Sequence, residues 1–597
     1  MNAVTIVIGA MCILMIAYRL YGTFMAAKVL KLDDSKPTPA HTLEDGKDYV
    51  PTNRWVSFGH HFAAIAAAGP LVGPILAAQF GYLPGLLWLL IGAVIGGAVH
   101  DAVVLFASMR KNGQSLSEVA KEELGPVAGF CTGLAMLFII TITMAGLSMV
   151  VLHALEHNPW GTFAVGITIP IAMGVGLYHK KTGNLKAASI VGFILIMIAI
   201  IAGPSIQNTV IGDWLTLDMK TLALILPIYA FFAAALPVWL LLAPRDYLSS
   251  FMKIGVFIAL IVGVFIVNPA IPFPAVTEFI NGGGPILAGP VWPFISITIA
   301  CGAISGFHAF VGSGTTPKML DRWSDIKAVG FGAMLVECLV AIMALIAATA
   351  LQPGDYFAIN STPEVFKTLG MNVEHLPQLS KEIGLDLEGR TGGAVTLAVG
   401  MTYIFTEIPW FSKLASYFFQ FVIMFEAVFI LTAIDAGTRV SRYLIQDFFG
   451  EFYKPLKQVD WLPGSIFASA LACFMWGYLL FSGDIGSVWA LFGVSNQLMA
   501  SIGLIIGATV ILKIADKRRY VLTCLVPLAY LYVTVNYAGY WMVKNVYLNP
   551  EAAGYSVLNA ALSIIMLILG VVIMVTAINK WIKLWNKPEV QLGAKTA

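Results

Sequence analysis

Charge is what this chain has least of: Lys, Arg, Asp and Glu together make up 11% of its 597 residues, against about a quarter in soluble proteins. The 35 basic and 33 acidic side chains nearly cancel, and a formal charge of +2 over this length gives an acidic or basic partner nothing to recognise. Cysteine is scarce too. Cys12, Cys131, Cys301, Cys338, Cys473 and Cys524 stand singly in apolar stretches, without disulfide or metal-ligand spacing, and read as small core residues. Neither a phosphate loop, a dinucleotide fingerprint nor a nucleophile elbow is found, so a primary ATP-driven pump has no support. What fills the chain instead is apolar: 58% of residues are hydrophobic and the mean hydropathy is +0.83. A cytosolic enzyme, a nucleic-acid binder and a secreted module are excluded, and an all-α polytopic membrane protein is expected, with the lipid bilayer as its partner.

The first apolar segment, Val4 to Leu30, has no basic run before it and no small-residue cleavage site after it, so it is expected to persist as a helix. Further segments of spanning or near-spanning length run over 62–80, 86–107, 127–152, 163–178, 187–206, 222–243, 254–267, 294–311 and 328–350. After the polar connection Gln352–Arg390 come 394–411, 414–434, 466–481, 488–512, 522–543 and 557–578. Each is too long for a barrel strand and lacks its alternation, so about 15–16 helical segments are predicted.

Basic loops at 28–54, 110–121, 180–186, 245–253 and 318–327 alternate with loops at 153–160 and 268–291 that hold no Lys or Arg. Positive loops stay in the cytoplasm, which places the N-terminus outside and the C-terminus inside. Arg439, Arg442, Lys454 and Lys457 break the alternation if 394–411 and 414–434 both cross. The Glu407-Ile408-Pro409 interruption makes 394–411 the segment expected to be re-entrant or broken.

Proline and glycine interrupt two segments at corresponding places. Ala68-Gly69-Pro70-Leu71-Val72-Gly73-Pro74 lies within 62–80, and Ala235-Leu236-Pro237 lies within 222–243, followed by Trp239. Five helices' worth of chain separates the two starts, and the charge pattern orients them oppositely. That is the arithmetic of a five-plus-five inverted repeat whose first helices unwind near the midplane to hold substrate or ion. Domains follow: 1–56 as an extra helix and loop, 57–207 and 208–438 as the repeats, the second with the external loop 352–392, and 439–597 as additional helices. The substrate is expected at Gly69, Pro70, Leu71, Val72, Gly73 and Pro74 on one helix and Ala235, Leu236, Pro237 and Trp239 on the other, where unwound backbone offers amide donors to a carboxylate.

Among intramembrane polar groups, His60 and His61 stand where the first broken helix enters the membrane, and His100-Asp101 closes the next helix. They suit either a proton relay or packing and capping. Ser305, His308, Gly312 and Thr315 step by three and four residues, which predicts one face of a continuous helix. Glu337, Glu407, Glu426 and Asp435 are carboxylates in or beside apolar runs and need partners or protons. Asn496-Gln497 is expected to bond a neighbouring helix. No two of these histidines have a helical zinc spacing, so no metal is expected.

The runs Gly59-His60-His61-Phe62-Ala63-Ala64-Ile65, Ala68 to Pro74, Gly97-Ala98-Val99-His100-Asp101, Pro244-Arg245-Asp246-Tyr247-Leu248, Ser305-Gly306-Phe307-His308 with Ser313-Gly314-Thr315-Thr316, and Phe492-Gly493-Val494-Ser495-Asn496-Gln497-Leu498 resemble the carbon starvation protein A family over nearly the whole chain. The resemblance implies a bacterial inner-membrane uptake protein for peptides or pyruvate, induced when carbon runs short. It also implies a leucine-transporter-like fold related to the amino acid–polyamine–cation transporters, with no cofactor. In that fold, carbonyls of the first broken helix and hydroxyls of the eighth can hold sodium, and here Ala67, Val72, Ser313 and Thr316 match. His308 offers proton coupling instead, slightly favoured because His60, His61 and His100 surround the same core. The alternatives from other classes are a channel lined by glycine-rich helices and an intramembrane enzyme using His100-Asp101 or Glu407.

Overall fold

A computed structural model describes residues 2–586 except 47, 183, 208, 237–239, 451–452, 459–460, 484 and 553. The chain opens with α1 (Ala3–Val29). Next come α2 (Arg54–Ile65) and α3 (Gly69–Phe80), α4 (Tyr82–Met109), α5 (Pro126–Leu155), α6 (Pro159–Thr182), α7 (Leu185–Gln207), α8 (Met219–Ala235), α9 (Leu242–Val267), α10 (Val291–Thr298), α11 (Phe307–Gly314) and α12 (Lys327–Thr349). The remainder is α13 (Ala394–Thr406), α14 (Ala415–Gly450), α15 (Leu462–Ser482), α16 (Ile485–Ile514), α17 (Arg518–Tyr547) and α18 (Val557–Trp585). Among the described residues eleven helices are long and apolar enough to cross a membrane, or twelve with the bent pair α2–α3 counted as one span. Shorter apolar helices at α8, in α9 and at α13, with the interrupted α10–α11, fall on the remaining apolar segments.

The outer helices show how apolar residues divide between core and lipid. On α1 the small or slender Ala3, Val7, Ala10, Leu14 and Ala17 are buried at helical spacing, while Ile8, Ile13, Met15, Ile16 and Leu20 lie exposed. On α18, Ile564, Ile568, Val571, Val575 and Ile578 are exposed in the same way. Large aliphatic stripes facing outward on the rim helices are costly in water and favourable in hydrocarbon.

The bundle has a basic end and an opposite end. At the basic end Arg54 pairs with Asp325, Lys31 with Asp516, Lys513 with Glu123, and Lys111 lies 2.5 Å from Glu122. At the opposite end Asn2 bridges Ala270, and the loop after α9 is strapped to the end of α3 through Gln79. The Gln79 side chain accepts from Ile286 and Leu287 amides at 2.8 and 2.9 Å and donates to the Leu287 carbonyl at 2.9 Å.

Three sequence expectations need correction. The segment 222–243 is not one broken span: α8 ends at Ala235 and α9 begins at Leu242. α8 starts at the opposite end, where His157 donates to Leu217, and α9 returns there to set Val4 on Asn268, so the two helices form a hairpin rather than one interrupted span. The stretch 245–253 is helix rather than basic loop, and Arg245 and Lys253 are buried. Finally, 294–311 is not continuous, because α10 and α11 are separated by 299–306.

α13 is flanked by groups of one end only. Arg390, just before it, donates to Glu156 O at 2.6 Å, and Gln420, just after it, exchanges amide bonds of 3.1 Å with Asn158. Its 13 residues start against Val72 near the central break and are short for a crossing, while the 36 residues of α14 carry Gln420 near one end and Arg439 and Arg442 toward the basic end. Arg439 and Arg442 lie inside α14, where they donate to the Ala233, Ala234 and Leu236 carbonyls left open at the end of α8.

Candidate functional site

Two interrupted helices cross at the centre of the bundle. α2 and α3 meet at 47° across Ala66, Ala67 and Ala68, where the Ala67 amide reaches only back to Ile65 O, at 2.6 Å. Gly69 and Gly73 then allow α3 to lie on the second interruption. A Cβ at Gly73 would stand 2.4 Å from the Thr298 carbonyl oxygen, and one at Gly69 would stand 2.3 Å from Cys301 Sγ. A Cβ at Gly97 of α4 would likewise stand 2.2 Å from Ala303 O.

The second interruption leaves backbone groups that α16 satisfies. Gln497 Nε2 donates to Ser296 O in α10 at 2.7 Å, and Asn496 Oδ1 accepts from the Phe307 amide at the start of α11 at 2.7 Å. Adjacent residues thus serve a free carbonyl on one half and a free N–H on the other, the groups that unwinding orphans. The expectation that Asn496-Gln497 bonds a neighbouring helix agrees with this geometry. Sequence reading missed the break because no proline lies within 299–306; Gly302 and Gly306 are its signal.

Beside the break lies a buried ionisable chain. His100 Nδ1 is 2.8 Å from Asp101 Oδ1, His308 Nδ1 is 2.7 Å from Asp101 Oδ2, and His308 Nε2 is 3.0 Å from Glu337 Oε2. All four residues are at most 3% exposed. Three elements supply them: α4, α11 and α12. His61, also buried, bonds Thr316 at 2.8 Å from α2. His60 is exposed.

Other expected residues are placed differently. Thr315 is exposed and Ser305 precedes α11, so the predicted stripe keeps only His308 and Gly312 on one helix. Ser313 Oγ donates to its own Ala309 O at 2.6 Å and Thr316 is held by His61, so neither hydroxyl bonds the Ala67 or Val72 backbone. Glu407 is exposed in the turn after α13, which removes it as an intramembrane catalyst. Gly69 to Pro74 are all buried at the crossing, but they form the first turns of α3 rather than unwound chain, which is confined to Ala66–Ala68; Ala235 and Leu236 end α8 against α14, toward the basic end. Pro237 and Trp239 lie outside the described residues. Glu337 is the member whose partner the sequence did not disclose. Among the described residues no group of three or more His, Cys, Asp or Glu is arranged to hold a metal ion.

The model of a family described as carbon starvation protein CstA matches residues 2–538. The peptide transporter CstA of Bacillus subtilis is 84% identical over 594 residues, covering 100% of this chain and 99% of its own. The pyruvate/proton symporter BtsT of Escherichia coli is 42% identical over 599 residues, covering 93% of this chain and 82% of its own. Among solved structures, a manganese transporter of Eremococcus coleocola bound to an aromatic bis-isothiourea compound aligns with a TM-score of 0.42 at 13% identity, over 91% of this chain and 99% of that one. The relatives are transporters rather than enzymes, and with a match across nine-tenths of its length the chain belongs to the carbon starvation protein CstA family.

Proposed function

We propose that the protein is a secondary active transporter that imports small carboxylate nutrients, peptides or pyruvate, across the inner membrane by proton-coupled alternating access. The basic end faces the cytoplasm, with the N-terminus outside and the C-terminus inside. The observation that carries the coupling is His308 lying between Asp101 and Glu337 on three different elements. A proton gained or lost at such a cluster changes the attraction between α11, α4 and α12, and so biases how one broken helix sits on its neighbours. Sodium at Ala67, Val72, Ser313 and Thr316 is the less favoured alternative, because the buried His61, His100 and His308 supply titratable groups around the same core. That one relative is named a pyruvate/proton symporter adds support for the proton.

The repeats are best assigned with α2–α3 opening one and α10–α11 opening the other, in place of 208–438. α3 packs on α12 as α11 packs on α4, and the two interrupted helices run in opposite directions. The α8–α9 hairpin then lies between the repeats. Substrate binds at the crossing, beside Gly69 to Pro74.

The test is uptake into proteoliposomes under an imposed pH or sodium gradient, for the wild type, His308→Ala and Ser313→Ala. Proton coupling gives pH-driven uptake that His308→Ala loses and Ser313→Ala keeps. Uptake that needs sodium and survives His308→Ala reverses the assignment. Transport that fails to saturate points to a channel.

A further inference from the structure

Beside the break between α2 and α3 is a narrow cavity whose wall includes Phe62, Ala66, Leu71, Met401 and Phe429, with Lys253 among them. Lys253 is the one titratable group among the described residues that line it, and it is only 8% exposed. Its Nζ lies 3.7 Å from the Phe429 ring centroid and donates to Ala63 O at 2.8 Å. Ala63 O is one of the carbonyls that the break opens, because the Ala67 amide that would have bonded it turns to Ile65. A cation on the last carbonyls of a half-helix is stabilising by itself. Here, however, the same ammonium also borders a chamber whose other described lining residues are all apolar.

We propose that Lys253 is the anion anchor of the transport site, and that the chamber selects a short monocarboxylate with an apolar body over a zwitterion. The inference rests on the reading that substrate binds beside the first break. An ammonium in an apolar, water-poor wall forms a charge-assisted hydrogen bond to a carboxylate far more strongly than to an amide. None of the described residues that line the chamber is a carboxylate that could pair with a substrate ammonium, so a zwitterion would bury its positive charge against a neutral carbonyl at best. Carboxylate binding competes with Ala63 O for the Nζ donors, which ties occupancy of the chamber to the end of α2.

The experiment compares pyruvate, pyruvamide and dialanine on the full chain in proteoliposomes. Wild type takes up pyruvate, and pyruvamide competes at least about tenfold more weakly. Lys253→Gln raises the KM for pyruvate at least about tenfold and abolishes the preference for acid over amide, while Lys253→Arg keeps the preference. Loss of packing alone would not alter that ratio. As a check with Lys253 intact, Met401→Cys is protected from a thiol reagent by pyruvate and not by pyruvamide. Equal protection by both, a Lys253→Gln protein that keeps its discrimination, or tighter binding of dialanine than of pyruvate overturns the anchor while leaving the transport reading in place. A wild type that accumulates none of the three overturns that reading as well.

Discussion

The Nε2 atom of His308 stands 3.0 Å from Oε2 of Glu337, and both side chains are essentially sealed from solvent. This pair joins α11 to α12, and Asp101 on the other side of the imidazole joins it to α4. Glu337→Gln keeps the volume and removes one charge. It is expected to lower pH-driven uptake roughly tenfold or more, because disrupting a buried pair costs about 3–5 kcal/mol. Substrate exchange at equal pH should be affected far less. Measuring both modes on one preparation checks it; equal losses in the two modes would assign Glu337 to folding rather than coupling.

Glycine at 69 makes a prediction that carries its own control. Gly69→Ala brings a Cβ to 2.3 Å from Cys301 Sγ and 2.6 Å from Cys301 Cβ, and overpacking of this kind costs about 1–3 kcal/mol. Thermal unfolding in detergent should fall for Gly69→Ala, and Gly69→Ala/Cys301→Gly should recover most of the loss. Gly9→Ala, with nothing near its Cβ, should change nothing. An additive double mutant would mean the two residues do not press on one another.

Asn496→Ala and Gln497→Ala each leave one buried backbone group of the second break without a partner, at about 1–3 kcal/mol. The expected readout is a lowered unfolding midpoint with membrane insertion intact. Ser501→Ala, which loses only a bond within its own helix, is the comparison. Unchanged midpoints for both variants would show that water replaces the amides.

Cysteines at Lys413 and Lys454 should react from opposite faces of the membrane, Lys413 from outside and Lys454 from the cytoplasm. The 36-residue α14 is the long apolar helix between them. Labelling of both positions from the same side by an impermeant reagent contradicts that path.

Much of this architecture is legible in the residues. The break at Ala66 to Ala68 is announced by the two prolines and two glycines within the seven residues from Ala68 to Pro74, and the shortness of α13 agrees with a charge count that leaves 394–411 no room to cross. Less legible is the meaning of a proline at a helix end. The apolar run up to Ala235 and the run up to Ile65 are both followed by proline in the sequence, yet the first ends in a hairpin and the second in an interruption, and the difference lies in which helix receives the freed carbonyls. Arg439 and Arg442 take those of α8, and they are about two hundred residues away. Likewise the break in 294–311 depends on Asn496 and Gln497. His308, His100 and Asp101 were readable as candidates because an ionisable group in an apolar run needs a reason. Glu337 needed the fold to find its partner.

The crossing of the interrupted helices has little side chain in it. Gly73 meets Thr298 O, Gly97 meets Ala303 O, Gly306 meets Asn496 O and Gly493 meets Ile297 O, in each case main chain against main chain. A surface built of side chains can yield by small changes of rotamer, but bare backbone has no rotamers. The joint at the heart of the molecule therefore cannot soften gradually around a bound solute. It either stays seated or lifts as a whole, like a hinge pin in its barrel.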